Sequence, residues 1–240
     1  MLFLDNLTIG YTGKPVAGGL SARLPAGAMT CLIGRNGTGK STLLRTVAGF
    51  QPPLSGRVMI TPAPGAAPVE ASSLSPRERA RTIGVVLTAR PAVDAMTARE
   101  VVAMGRMPYT GFWGRLSDRD NDIVDHAMRL TDTTRLASCR IGAVSDGERQ
   151  KIMIAKALAQ QTPLILLDEP TAFLDYPSKL SAMTMLRALC HDSGVTVLVS
   201  THDLDAALRL TDRLWIMDGG ALHDGTPQEL RRETAAFMRC

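Results

Sequence analysis

Long apolar runs are missing from this 240-residue sequence, and no stretch approaches the roughly 20 continuous apolar residues that cross a bilayer as a helix. The opening, MLFLDNLTIG, lacks the basic start and long apolar core of a secretory signal. An intracellular protein is expected, with any membrane role arising through a partner. Cysteine is scarce as well. Cys31, Cys139, Cys190 and Cys240 are scattered without a CxxC pair, which reads as reduced thiols rather than a disulfide framework or a zinc site. The net charge is only +4 and no long basic run occurs. Arg77, Arg79 and Arg81 read as a solvated helix face, so no nucleic-acid partner is expected. Internal repeats are absent, and a single domain is expected over residues 1–240.

What is present is an alternation of short β-rich apolar runs with longer helical stretches, the pattern of an α/β fold with a mainly parallel sheet. Met29 to Ile33 reads as a strand running into a glycine-rich segment, followed by a helix from Lys40 to Ala48 that Gly49 and Pro52-Pro53 stop. Gly56 to Ile60 reads as a strand, and Thr61 to Ala71 as a flexible surface loop. Capping boxes, in which a hydroxyl and an acid three residues on satisfy each other's backbone amides, are predicted at Ser75/Glu78, Thr97/Glu100 and Thr226/Glu229. Ser117/Asp120 is a weaker version because Asp is shorter. Leu164–Leu167 and Val195–Val199 are continuous apolar runs, as expected of strands buried on both faces. Leu214–Met217, Asp218-Gly219 and the short run after them predict a hairpin.

Gly34-Arg35-Asn36-Gly37-Thr38-Gly39-Lys40-Ser41 satisfies G-x-x-x-x-G-K-[ST] in full. The glycines let several amides point inward at an oxyanion, and the helix that follows adds its positive end. Lys40 supplies a mobile charge for the β- and γ-phosphates, and the Ser41 hydroxyl can ligate Mg²⁺. Thr42 completes the candidate nucleotide-binding set of Gly34, Asn36, Gly37, Thr38, Gly39, Lys40 and Ser41. A P-loop says nucleoside triphosphate but not which reaction. Leu164-Ile165-Leu166-Leu167-Asp168-Glu169 supplies the second half, because a buried strand ending in two carboxylates delivers them to the carboxyl edge of the sheet, beside the P-loop. Asp168 can hold Mg²⁺ through water, and Glu169 is then free to orient and deprotonate the attacking water.

At this point the sequence resembles the ABC ATPase family over nearly its whole length. Val144-Ser145-Asp146-Gly147-Glu148 is similar to that family's LSGGQ signature and opens a helix in Arg149-Gln150-Lys151-Ile152. Ala172-Phe173-Leu174-Asp175 looks like the D-loop, and His202 like the switch histidine. Tyr11 sits where the family stacks an aromatic ring on adenine. Taken singly, His202 is more often a satisfied histidine at a strand end and Tyr11 more often core or surface filler, and Ser145 is a good helix N-cap. His126, His191 and His223 have no such support and read as structural. The resemblance implies a RecA-like P-loop core with an antiparallel β-subdomain and an inserted helical subdomain at about residues 90–160. It further implies a head-to-tail homodimer with ATP between one chain's P-loop and the other's signature helix. Ser145 and the Gly147 amide would then meet the γ-phosphate in trans, Glu169 would act as general base, and His202 would hold the γ-phosphate and the water.

Two departures stand out. The family's Gln after the strand equivalent to Ile83–Leu87 is replaced by Thr88, whose hydroxyl can still reach Mg²⁺ or water. The signature carries Asp146 for Gly and Glu148 for Gln, so Asp146 must point away from the γ-phosphate or be compensated by cations such as Arg149 or Lys151. Arg99-Glu100-Val101-Val102-Ala103-Met104-Gly105-Arg106-Met107-Pro108-Tyr109 is similar to ATPases of iron-siderophore, haem and cobalamin importers, a reading that outweighs the alternative of an ordinary amphipathic helix ending at Gly105. The implied machine is a peripheral ATPase on the cytoplasmic face of the inner membrane. It would be bound to permease subunits and, indirectly, to an extracytoplasmic substrate-binding protein. An exporter ATPase and a soluble ABC ATPase are the alternatives; two cassettes in one chain or a long coiled-coil insertion would favour the latter, and this chain has neither.

Overall fold

The computed structural model describes residues 1–63, 65–87, 92–111, 113–172, 174–231 and 234. In chain order its strands and helices are β1 (Leu2–Tyr11), β2 (Lys14–Leu24), β3 (Met29–Gly34), α1 (Lys40–Val47), β4 (Ser55–Ile60), β5 (Val69–Glu70), α2 (Pro76–Thr82), β6 (Ile83–Val86), α3 (Ala98–Ala103), α4 (Asp118–Leu130), α5 (Asp146–Ala159), β7 (Leu164–Asp168), α6 (Tyr176–Ser193), β8 (Thr196–Ser200), α7 (Leu204–Leu210), β9 (Arg213–Asp218) and β10 (Ala221–Gly225). Six strands form one sheet in the order β10-β9-β3-β8-β7-β6. All its neighbours are parallel except the expected β9–β10 hairpin, whose turn is Gly219-Gly220 rather than Asp218-Gly219 because Asp218 still pairs with Ala221. An antiparallel sheet, β2-β1-β4-β5, lies beside it.

The apolar runs become central strands because both faces of this sheet are covered. Along β7, Leu164 and Leu166 enter one core while Ile165 and Leu167 enter another. The same two-residue alternation divides β8 (Leu198 against Val197 and Val199) and β9 (Trp215 against Leu214 and Ile216). The first core holds α1 between the two sheets through Leu43, Leu44 and Val47, with Leu2, Leu7 and Ile9 of β1 opposite. The second core packs α6 and α7 through Met183, Leu186 and Ala207. A third core lies among α3, α4 and α5, built from Val101, Val102, Val124, Met128, Ile152 and Ala155. Helix α5 belongs to two cores at once, since its Ile154 and Ala157 face the sheet while Ile152 and Ala155 face α3 and α4. Among the described residues no helix is long and apolar enough to cross a membrane.

Three readings of the sequence change. The stretch Thr61–Ala71 is not wholly a loop: Val69-Glu70 pairs with Met59-Ile60 as β5, and Ala71 is buried. Ser117/Asp120 forms a complete capping box despite the shorter acid, with both reciprocal backbone bonds present. Arg77, Arg79 and Arg81 are not a freely solvated face. Arg79 donates to the Gly49 carbonyl at 2.8 Å from a half-buried position, while Arg77 and Arg81 both donate to the carbonyl of Pro108. Thr88 and Cys240 lie outside the described residues. Cys31 and Cys190 are free and buried, and burial pushes both thiols up.

The segment Gly105–Tyr109 proves to be a structural knot. A Cβ on Gly105 would lie 2.3 Å from the Lys156 carbonyl, so only glycine lets this turn touch the backbone of α5. Arg106, 5% exposed, pairs with Asp120 at 2.8 Å and donates to the Ala159 carbonyl and to Gln161. Its guanidinium lies 4.1 Å from the centre of the Tyr109 ring. Ser117 first and then Arg106 hold the Asp120 carboxyl down at about 2, so the pair stays charged at any physiological pH. Removing one partner of a buried pair leaves the other uncompensated, at a cost of about 3 kcal/mol. Arg106→Ala is therefore expected to lower the midpoint of thermal unfolding by roughly 6–12 °C, measured by circular dichroism. A change of only a degree or two would mean that Asp120 is satisfied by Ser117 alone.

Candidate functional site

Parallel strands end on the same side, so β3, β7 and β8 deliver their carboxyl-terminal residues to one edge of the sheet. There the chain turns from β3 into α1 through residues 35–39. Gly37 and Gly39 both hold positive φ, 84° and 104°. A Cβ on Gly39 would also lie 2.7 Å from Val16 Cγ1, so this position excludes any side chain. Helix α1 has no side-chain cap, which leaves first-turn amides available to an anion. Lys40 folds back over the loop, its ammonium donating to the carbonyls of Gly34 (2.7 Å) and Arg35 (3.1 Å). Burial pulls the amine down, and the nearby Glu169 and Asp168 carboxylates oppose that pull. Thr38 donates its hydroxyl to the Arg35 carbonyl at 2.9 Å.

Opposite the loop stands the acidic end of β7. Asp168 is 3% exposed and accepts a hydrogen bond from the Ser200 hydroxyl at 2.7 Å. The same hydroxyl accepts the Glu169 N–H at 2.9 Å. Glu169 is held at φ 50°, a left-handed conformation unfavourable for a residue with a Cβ. His202, just past β8, places Nδ1 3.7 Å from Glu169 Oε2 with its ring largely exposed.

A cavity of about 330 Å³ joins these elements: Tyr11, Val16, Asn36, Gly37, Gly39, Lys40, Ser41, Thr42 and Glu169 line it. The exposed Tyr11 stands at its mouth, with its hydroxyl 3.3 Å from that of Thr42. The site residues read from the sequence thus fall into two groups. Gly34, Thr38, Asp168 and His202 are outside the lining but bonded or close to residues in it or in the loop, whereas Ser145, Gly147 and Asp175 stand at other helix starts. Ser145 caps α5, with Gly147 in that helix's first turn, and exposed Asp175 caps α6 by accepting the Ser178 N–H at 3.1 Å. Among the described residues no cluster of three His, Cys, Asp or Glu forms a metal site. The oxygen donors at hand, the Ser41 hydroxyl and one carboxylate at Asp168, suit a Mg²⁺ that takes its other ligands from phosphates and water.

Two contributors escape a reading of the sequence alone. Val16 walls the cavity from β2, and nothing in its surroundings in the chain marks it. Ser200 is fully buried and joins both carboxylate-bearing residues. Its one signal is a hydroxyl closing the apolar run Val197-Leu198-Val199, where a buried strand has no use for polarity unless it is paired. Losing a hydrogen bond to a charged group costs about 1.5–3 kcal/mol. Ser200→Ala is thus expected to lower the turnover of ATP by about tenfold or more, with ATP affinity little changed, in steady-state kinetics and equilibrium nucleotide binding. Equal loss in both would assign Ser200 to folding of the loop instead.

Comparisons with known proteins agree with this geometry. A family model described as ABC transporter matches residues 17–172. An uncharacterized ABC transporter ATP-binding protein of Methanocaldococcus jannaschii is 40% identical, the match covering 89% of this chain and 72% of that protein. The iron(3+)-hydroxamate import ATP-binding protein of Bacillus subtilis is 34% identical over 95% of this chain and 83% of its own length. Among solved structures, a dimeric ATP-binding cassette in a post-hydrolysis state with ADP and Pi superposes with a TM-score of 0.82 at 25% identity, covering 95% of this chain and 99% of that one. The P-loop, the acidic strand end and these matches lead to one conclusion: the chain belongs to the ABC transporter ATP-binding family and is an ATP-hydrolysing transporter subunit.

Proposed function

We propose that this ATPase powers an importer of iron-siderophore, haem or cobalamin complexes. Its relative in Bacillus subtilis, named for iron(3+)-hydroxamate import, covers nearly the whole chain. In this reading residues 1–240 are one ABC ATPase domain, and the lobe of α3, α4 and α5 is a helical subdomain inserted at about 90–160. The protein sits peripherally at the cytoplasmic face of the membrane, gripping permease subunits and serving an extracytoplasmic binding protein through them.

One observation carries the mechanism: a single cavity holds Tyr11, the P-loop and Glu169, while Ser145 and Gly147 stand outside it at the start of α5. A site missing its signature residues is completed by a second copy, head to tail. Tyr11 stacks on adenine, and Gly34, Asn36, Gly37, Thr38, Gly39 and Thr42 shape the phosphate cradle. When ATP enters, Lys40 exchanges the carbonyls of Gly34 and Arg35 for β- and γ-phosphate oxygens. Ser41, Asp168 and Thr88 would hold a Mg²⁺, whose charge would offset that of the phosphates. Glu169 takes a proton from the attacking water as its oxygen bonds to the γ-phosphorus and the bond to the ADP oxygen breaks. His202 positions the water and γ-phosphate, and Asp175 faces the partner across the interface. The partner chain supplies Ser145 and the Gly147 amide at a helix N-terminus. Binding closes the pair and hydrolysis releases it, a two-state cycle to which a permease can couple.

Glu169→Gln is expected to cut hydrolysis by roughly 10²–10⁴-fold while ATP still drives dimerisation in size-exclusion chromatography. Lys40→Ala should instead weaken nucleotide binding, and Thr88→Ala should slow turnover with binding nearly intact. The transport reading is tested by capturing tagged Glu169→Gln from detergent-solubilised native membranes with ATP and Mg²⁺. A multi-spanning permease identified by mass spectrometry, followed by uptake assays with ferric siderophores, supports it. Recovery of soluble partners alone would retire the importer in favour of a cytosolic ABC ATPase.

A further inference from the structure

The signature serine is already engaged within its own helix. Ser145 Oγ accepts the Glu148 N–H at 3.3 Å and donates to Glu148 Oε2 at 2.9 Å, and the Ser145 N–H goes to the same carboxylate oxygen at 3.0 Å. A hydroxyl has one hydrogen to give, so a Ser145 that donates to Glu148 donates to nothing else. The acceptor is a carboxylate, which holds such a bond more strongly than a neutral amide would. The second carboxylate oxygen, Oε1, is taken by Arg135 at 2.6 Å. Arg135 reaches in from a different element, the 3-10 turn Thr134–Leu136, which Leu136 anchors in the core of the helical lobe.

Other cations near the signature are directed elsewhere. Arg149, 16% exposed at its side chain, pairs with Asp94 at 3.0 Å and donates to the Ile141 carbonyl, while the charge of Lys151 is felt by Asp175. Arg135 is thus the guanidinium that meets Glu148. The bond from Ser145 and then Arg135 hold the Glu148 carboxyl below the usual carboxylate range, in keeping with a fully charged acid.

We propose that Glu148 acts as a latch on the Ser145 hydroxyl and that Arg135 is the positioning residue that weakens it, by drawing the carboxylate's charge toward Oε1, away from Oε2, and neutralising it where a polyphosphate must approach. The proposal rests on the reading that Ser145 meets the partner's γ-phosphate. ATP-driven closure then requires the serine to exchange one anion for another. Arg135 lowers the cost twice: Glu148 releases the hydroxyl more readily, and it repels the incoming phosphate less. Residue 148 thereby sets how much ATP is needed to close the dimer.

The test is a double-substitution cycle in the full chain with steady-state ATP hydrolysis as readout. As an exposed ion pair is weak and screened by salt, Arg135→Ala should raise the KM for ATP by about threefold, with kcat within twofold and the effect shrinking at high salt. Glu148→Gln should lower KM, and Arg135→Ala made in that background should change it by less than about 1.5-fold. Arg135→Lys should recover most of the loss. A purely structural Arg135 would lower the unfolding midpoint without this KM-specific, salt-dependent coupling. Equal KM changes in both backgrounds, or none in either, overturn the latch. Ser145→Ala separates the two ideas: if it leaves both turnover and ATP-driven dimerisation intact, the trans-site reading fails and the latch with it. If it impairs them while the cycle shows no coupling, only the latch fails.

Discussion

Parallel pairing of β3, β8 and β7 is the constraint from which the rest of the molecule follows. Parallel strands must all finish at the same edge, so the glycine loop after β3, the two carboxylates closing β7 and the histidine after β8 are brought together by topology before any of their side chains interact. Such a sheet needs cover on both faces. That need places α1 and the antiparallel sheet on one side and α6 and α7 on the other. The helical lobe is then an addition to the edge strand β6, rooted through α5, and the acidic end of the sheet stays open for a ligand.

How far the sequence discloses this differs from residue to residue, and the differences have physical causes. The P-loop is legible because its constraints are backbone ones: Gly37 and Gly39 sit at positive φ, and at Gly39 a Cβ would collide with Val16. The strands are legible because doubly buried segments need unbroken apolar runs. Capping boxes are legible because both partners lie within four residues, and even the short Asp120 reaches its Ser117 amide. Long-range polar contacts leave no such trace. Nothing in Ser75–Thr82 announces that Arg79 will reach the Gly49 carbonyl, or that Arg77 and Arg81 will share the Pro108 carbonyl across some thirty residues of chain. Ser200 is hidden for the same reason, its two partners lying over thirty residues upstream.

The segment from Gly105 to Tyr109 shows how a stretch that resembles a functional signature can have a complete structural account. Glycine is there for close approach to α5, arginine for a buried pair with Asp120, and tyrosine for a ring under Arg106, while two guanidiniums share the carbonyl of residue 108, which any residue would offer. The knot fastens α3, α4 and the end of α5 into one body, which is the body that carries Ser145 at its other end. Whatever moves the helical lobe therefore moves the signature with it.

Glu169 carries a different kind of consequence. A glutamate at φ 50° stores backbone strain that a glycine would release and an asparagine would lessen. At this one position conformational ease and the proposed proton acceptor pull in opposite directions, so a chain freed from hydrolysing ATP would drift toward residues that sit comfortably in the left-handed region. A screen of this protein that rewards thermal resistance alone would reach position 169 early and select against the carboxylate.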